Sequence, residues 1–165
     1  MATKRQGGER VEDKPCEGCP WLKKNQTPKA VKASPIDGAG RHWFARENIE
    51  KHWRAAGDIG AMLPCHMTDV NAPLYGGKAT KAEQARICVG LSMLARREVR
   101  AFMQAGQNVD RYVALKGIRW SAVGLAAWAA RLYHAGAFFV LGGRTFTMPR
   151  ISPDVEDARV GLPWE

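Results

Sequence analysis

Residues 80–105 read TKAEQARICVGLSMLARREVRAFMQA, and this stretch decides the fold class. Thr80 and Glu83 have the spacing of a capping box, in which a hydroxyl and a carboxylate satisfy the first amides of a helix. Cys88, Leu91, Ala95, Val99 and Phe102 then recur every three or four residues, the period of one buried helix face. The spacing predicts a helix from Thr80 to about Ala105, ending before Gly106. Arg96, Arg97 and Arg100 fall on its other side and are expected in solvent.

Working outward, the same period appears twice more. Ala45, Ile49 and Trp53 mark a helix over Arg41–Ala56 with Gly57 after it. Leu125, Trp128, Ala129 and Leu132 mark another from Ser121 to His134. A short helix is expected over Val109–Leu115. Phe138–Leu141 and Arg144–Met148 read as two short strands across Gly142-Gly143. Ile59–Leu63 is a short apolar run that delivers Pro64-Cys65-His66. The fold class expected is mainly α: a small helical domain whose N-terminal loop is stapled by a four-cysteine metal site. Its limits are a disordered basic N-terminus at 1–14, a single metal-binding helical domain at 15–148 and an extended tail at 149–165.

Composition narrows the class further. The chain has 165 residues, 45% hydrophobic and 25% charged, which excludes collagenous, coiled-coil and wholly disordered proteins. A net charge of +9 favours acidic partners, nucleic acid first and an anionic membrane or an acidic protein next. The most apolar stretch, Ala122–Leu141, is interrupted by Arg131 and His134, so it reads as a buried helix and not a membrane span. The polar stretch Met1–Asp13 lacks the apolar run of a signal peptide, and a cytoplasmic location is expected. In a reducing compartment four cysteines are ligands or free thiols more often than disulfides.

Their spacing supports ligands. Cys16-Glu17-Gly18-Cys19 lets two thiolates turn toward one ion, and the fold must then bring in Cys65 and Cys88. Cys16 and Cys19 sit in a loop, Pro15–Arg41, where an unliganded pair has no packing reason to exist. Four thiolates suit either a 4Fe–4S cluster or one zinc. Pro20 after Cys19 is common in cluster loops, which puts the cluster first and zinc second. Trp21, Met62, Leu63 and Met67 are candidates for a dry shell. His66 is a candidate for a supporting residue or an alternative ligand. Glu17 between the first two thiols, and the lack of a βαβ pattern around them, speak against a thioredoxin-like redox pair.

The motifs Cys16-x-x-Cys19-Pro20-Trp21, Leu63-Pro64-Cys65-His66 and Ile87-Cys88-Val89-Gly90 resemble those of a family of small four-cysteine proteins of actinobacteria and their phages, whose function is unknown. The resemblance spans about Pro15–Met103. It implies that the four cysteines form one site with His66 near it, and it supplies no activity. A looser likeness, to the iron–sulfur uracil-DNA glycosylases, is confined to the C-x-x-C-P and two later cysteines, and no glycosylase motif accompanies it.

Positive charge is concentrated in Lys78–Arg119, with nine Lys/Arg against Glu83, Glu98 and Asp110. Arg86, Arg96, Arg97, Arg100, Arg111, Lys116 and Arg119 are therefore the candidate phosphate-binding residues. Residues 109–134 resemble a helix-turn-helix only weakly, because Ala122–Ala127 offers no donors to base edges. Trp43, Trp53, Trp120 and Trp128 read as core. No nucleophile elbow, zinc-protease motif or P-loop is present, and His42 and His52 merely flank a helix. The leading expectation is a non-catalytic binding factor for nucleic acid or its machinery. An iron–sulfur redox or nucleic-acid-processing enzyme and a structural protein with a stabilising metal are the alternatives.

Overall fold

The computed structural model describes residues 13–65, 86–108, 111–112, 118–133, 138–141, 144–151 and 157–165. A 3-10 turn at Lys23–Gln26 leads into the short helix α1, Pro28–Ala33. Three longer helices follow: α2 at Arg46–Ile59, α3 at Val89–Gln104 and α4 at Ala122–Tyr133. Strands β1, Phe138–Leu141, and β2, Arg144–Thr147, pair antiparallel with Phe139 opposite Phe146. Helix dominates, in agreement with the mainly α expectation.

The five apolar residues assigned to the long helix are all buried, with Leu91, Ala95 and Val99 wholly so. The helix nevertheless begins later than the capping box implies. Arg86 and Ile87 are extended, Ile87 pairing antiparallel with Pro64 and Arg86 parallel with Thr147. Backbone pairing holds these two residues out of the helix, and Cys88 becomes the residue before its first turn. Thr80, Glu83, His66 and Met67 lie outside the described residues, as does most of the helix expected at Val109–Leu115.

The α2 boundary also moves, for a local reason. Asp37 Oδ1 accepts from the amides of Ala39 and Arg41, and Ile36 pairs with His42. These contacts fix Arg41–Phe44 outside the helix. At the other end α2 runs through Gly57 and stops at Gly60, whose φ of 69° is the left-handed conformation of a helix end. Gly57 is internal because its backbone meets Trp120 and Gly124.

Helix α4 packs on both α2 and α3. Its start matches the sequence reading: Ser121 Oγ accepts from the Gly124 amide at 3.0 Å and donates to the Asp58 carbonyl at 2.8 Å. One hydroxyl thus caps α4 and ties it to the end of α2. Ser121→Ala is expected to cost about 1–2 kcal/mol, since both bonds are lost. That corresponds to a melting temperature lower by roughly 2–8 °C, read by thermal circular dichroism. An unchanged midpoint would mean that water replaces the hydroxyl at both partners.

Four indoles run through the core. Trp21, Trp53, Trp120 and Trp128 succeed one another with ring centroids 6.0, 4.6 and 6.2 Å apart, all within 2% of full burial. Their apolar area makes them a principal source of core stability. Trp43 is half-buried against His52. The stretch Pro15–Arg41, expected as loop without core residues, in fact contributes Cys19, Trp21 and Leu22 to the core and forms α1. Segment 157–165 completes that wall: Val160 pairs with Leu22, and Val160 and Leu162 are buried.

Candidate metal centre

Two thiols meet at the start of α3, one of them carried by the Cys16–Cys19 turn. Cys16–Cys19 is a tight turn closed by the Cys19 amide on the Cys16 carbonyl at 3.0 Å. Asn25 clamps it from outside, donating to the carbonyls of Glu17 and Cys19 at 2.9 and 2.8 Å. Cys19 Sγ then lies 3.9 Å from Cys88 Sγ, with both residues buried and both thiols reduced. Gly90 makes this approach possible. A Cβ there would stand 2.6 Å from Cys19 Sγ and 3.0 Å from the Trp21 side chain.

Cys65 reaches the same neighbourhood by backbone pairing. The Cys65 amide donates to the Arg86 carbonyl at 2.7 Å and the Cys88 amide to the Leu63 carbonyl at 2.8 Å. With Pro64 opposite Ile87, strand alternation puts Leu63, Cys65, Arg86 and Cys88 on one face of this short ladder. Cys65 is buried there, as is Met62 three residues before it. Among the described residues no three His, Cys, Asp or Glu side chains are disposed as a ready-made metal cage.

The electrostatics divide the two central thiols. Hydrogen bonding with Cys16, then with Cys88, together with burial, pushes the Cys19 thiol well above its ordinary pKa. Cys88 moves down, chiefly through its bond with Cys19, aided by the Leu91 and Gly90 amides at the helix start. A thiolate at Cys88 is thus favoured by backbone dipoles that also favour any anionic ligand at a helix N-terminus. What the described residues bring together is two soft sulfurs, amides of the helix start directed at Cys88 and a buried apolar surround, the chemistry a thiophilic metal would need.

The candidate phosphate-binding residues that the structure describes differ in their exposure. Arg96, placed in solvent by the sequence reading, is only 5% exposed. Arg97 is paired with Glu165 at one quarter exposure or less. The reason is tertiary: α3 is covered on its second flank by Lys23 and segment 157–165, so its polar side faces protein. Arg86 pairs with Asp13, and Arg119 donates to the Tyr112 carbonyl at 2.6 Å while lying over that ring. Arg111 is exposed, Arg100 is half-buried and Lys116 lies outside the described residues. Fully buried Glu98 on α3 is a further departure from the helical pattern, which had counted it only as part of the local charge.

Comparison of the chain with known protein families, curated proteins and solved structures gives no significant match. Among the described residues no helix is long and apolar enough to cross a membrane.

Proposed function

We propose that the chain is a small non-catalytic nucleic-acid binding factor whose fold is held by a metal–thiolate site of Cys16, Cys19, Cys65 and Cys88. The 3.9 Å between Cys19 Sγ and Cys88 Sγ is the observation that supports the metal. Two thiolates bound to one tetrahedral zinc, each about 2.3 Å from it, stand about 3.8 Å apart. A 4Fe–4S cluster spreads its ligands wider, so this separation favours a single zinc. The cluster remains the second reading on the strength of the Cys19-Pro20 pair. Four protein thiolates leave a zinc no open position, which suits a structural role. Such an ion joins the N-terminal turn to the 63–65 and 86–88 ladder and to the start of α3.

The net charge of +9 supports an acidic partner. Of the candidate residues that the structure describes, Arg111 is exposed to solvent and so open to such a partner. Purification without added metal, followed by elemental analysis and a visible spectrum, tests the site. The expected result is a colourless protein with about one zinc per chain. Brown protein containing iron and sulfide supports the second reading, and protein folded without either metal removes both. Nucleic-acid affinity is expected to fall steeply with salt; affinity that is absent or insensitive to salt removes that half of the proposal.

A further inference from the structure

Cys19 and Cys88 are each held by the backbone on both sides. The Cys19 amide donates to the Cys16 carbonyl at 3.0 Å, and its carbonyl accepts from the Leu22 amide at 3.1 Å and Asn25 Nδ2 at 2.8 Å. The Cys88 amide donates to the Leu63 carbonyl at 2.8 Å. Its carbonyl accepts from the amide and the hydroxyl of Ser92 at 3.0 and 2.9 Å. Between these fixed points the two sulfurs stand 3.9 Å apart as reduced thiols. A disulfide sets its sulfurs about 2.05 Å apart, which leaves about 2 Å for side-chain movement to close. Gly90 keeps the helix side of that path clear, since a Cβ there would stand 2.6 Å from Cys19 Sγ.

Solvent reaches this group of thiols from one end. Cys16 is half-buried, whereas Cys19 is 1% exposed and Cys88 5%. Cys19 hydrogen-bonds with both Cys16 and Cys88, so it is the middle thiol of three. Oxidation of cysteine follows exposure, and an oxidant arriving from solvent meets Cys16 first. Burial acts on the other end of the row. A buried S–H needs a partner for its proton, and a disulfide carries no proton to satisfy.

We propose that these three thiols form an oxidation relay, with Cys16 the entry point for a peroxide and a reversible Cys19–Cys88 disulfide its end. Hydrogen peroxide transfers one oxygen to Cys16, which becomes a sulfenic acid as water leaves. The Cys19 sulfur attacks Cys16 Sγ, a second water departs, and a Cys16–Cys19 bond forms. The Cys88 sulfur then attacks Cys19 Sγ. The electron pair of the Cys16–Cys19 bond leaves with Cys16, which takes up the proton that Cys88 has lost. Overall two thiols give up two electrons and two protons, and one peroxide becomes two waters. The final disulfide joins segments 69 positions apart, unlike a thioredoxin-type pair within one turn. It also withdraws two of the four proposed metal ligands. Control of the metal rests on the metal reading above, while the thiol chemistry does not.

Hydrogen peroxide added to the reduced full chain, before and after metal removal by a chelator, tests this. Remaining thiols are alkylated, and cleavage after Glu17 separates Cys16 from Cys19 for mass spectrometry. The expected product is a Cys19 peptide joined to a Cys88 peptide and separated again by dithiothreitol. Dimedone present from the start should label Cys16 and suppress the disulfide. Cys16→Ser should lose the label and most of the disulfide formed in the same time. The dimedone arm uses the parent chain, so it stands if the variant fails to fold. Denaturant supplies the reference, because there the short Cys16–Cys19 loop closes first. Identical products from the folded and denatured chains overturn the proposal, as does Cys16 oxidised to sulfinic acid while Cys19 and Cys88 still alkylate. Zinc release is followed alongside, and about one zinc freed per disulfide supports control of the metal site. A Cys19–Cys88 disulfide in a chain that holds no metal keeps the relay and removes the metal reading. A zinc-bearing chain whose thiols resist peroxide both before and after chelation overturns the relay and leaves the metal reading in place.

Discussion

Cys88→Ser is expected to abolish stoichiometric zinc and to unfold the wall built on the Cys16–Cys19 turn. The scale follows from what such an ion contributes. Structural zinc binds zinc-finger peptides with about 10–16 kcal/mol of apparent free energy, while a whole domain is stable by about 5–15 kcal/mol. A serine hydroxyl is a poor ligand, and it leaves three thiolates crowded without their shared cation. Metal analysis should fall from about one zinc to near none, and Trp21, wholly buried beside Cys19, should shift its fluorescence to the red. Gly90→Ala gives a graded companion. It keeps every cysteine but sets a Cβ 2.6 Å from Cys19 Sγ, so affinity should drop about 10–100-fold while the chain still folds in excess zinc. If Cys88→Ser melts like the parent, with or without chelator, the sulfurs are packing groups and the metal is superfluous.

What the sequence disclosed about this site, and what it hid, have different physical origins. The C-x-x-C spacing is a local signal and was readable as such, and the structure brings one of its thiols, Cys19, within 3.9 Å of Cys88 Sγ. Gly90 was part of the Cys88-Val89-Gly90 motif, yet its purpose, room for Cys19 Sγ, depends on a residue 71 positions away. The helical faces of Leu91, Val99, Leu125 and Trp128 were legible because burial on one side imposes a period. Periodicity has no term for a second covering layer. Arg96 was therefore assigned to solvent although segment 157–165 and Lys23 cover it. The start of α3 was misplaced for a related reason: a local capping signal competes with non-local pairing of Arg86 and Ile87, and pairing prevails.

Gly124→Ala is expected to destabilise the protein by about 3 kcal/mol or more, against the usual sign of the change. In an open helix, alanine for glycine gains about 1 kcal/mol by restricting the unfolded chain and favouring helix. Here the added Cβ would lie 1.9 Å from the Gly57 carbonyl oxygen and 2.6 Å from its carbon. Both are backbone atoms, so no side-chain rotation relieves the overlap, and α4 must lift away from α2. Separation also disturbs Trp120, whose ring occupies the space beside the Gly57 Cα and stacks 4.6 Å from Trp53. The melting temperature should fall by roughly 6–12 °C for a chain of this size, with changed near-ultraviolet dichroism from the indoles. Gly38→Ala, where nothing lies within 4 Å, should leave both readings close to the parent. If the two alanines behaved alike, the helices would have to cross with room to spare, and Gly57 would lose its reason for standing inside α2. The difference expected between the two substitutions follows from contact, because Gly38 lies in an open turn and helix propensity at Gly124 accounts for only about 1 kcal/mol, in the favourable direction.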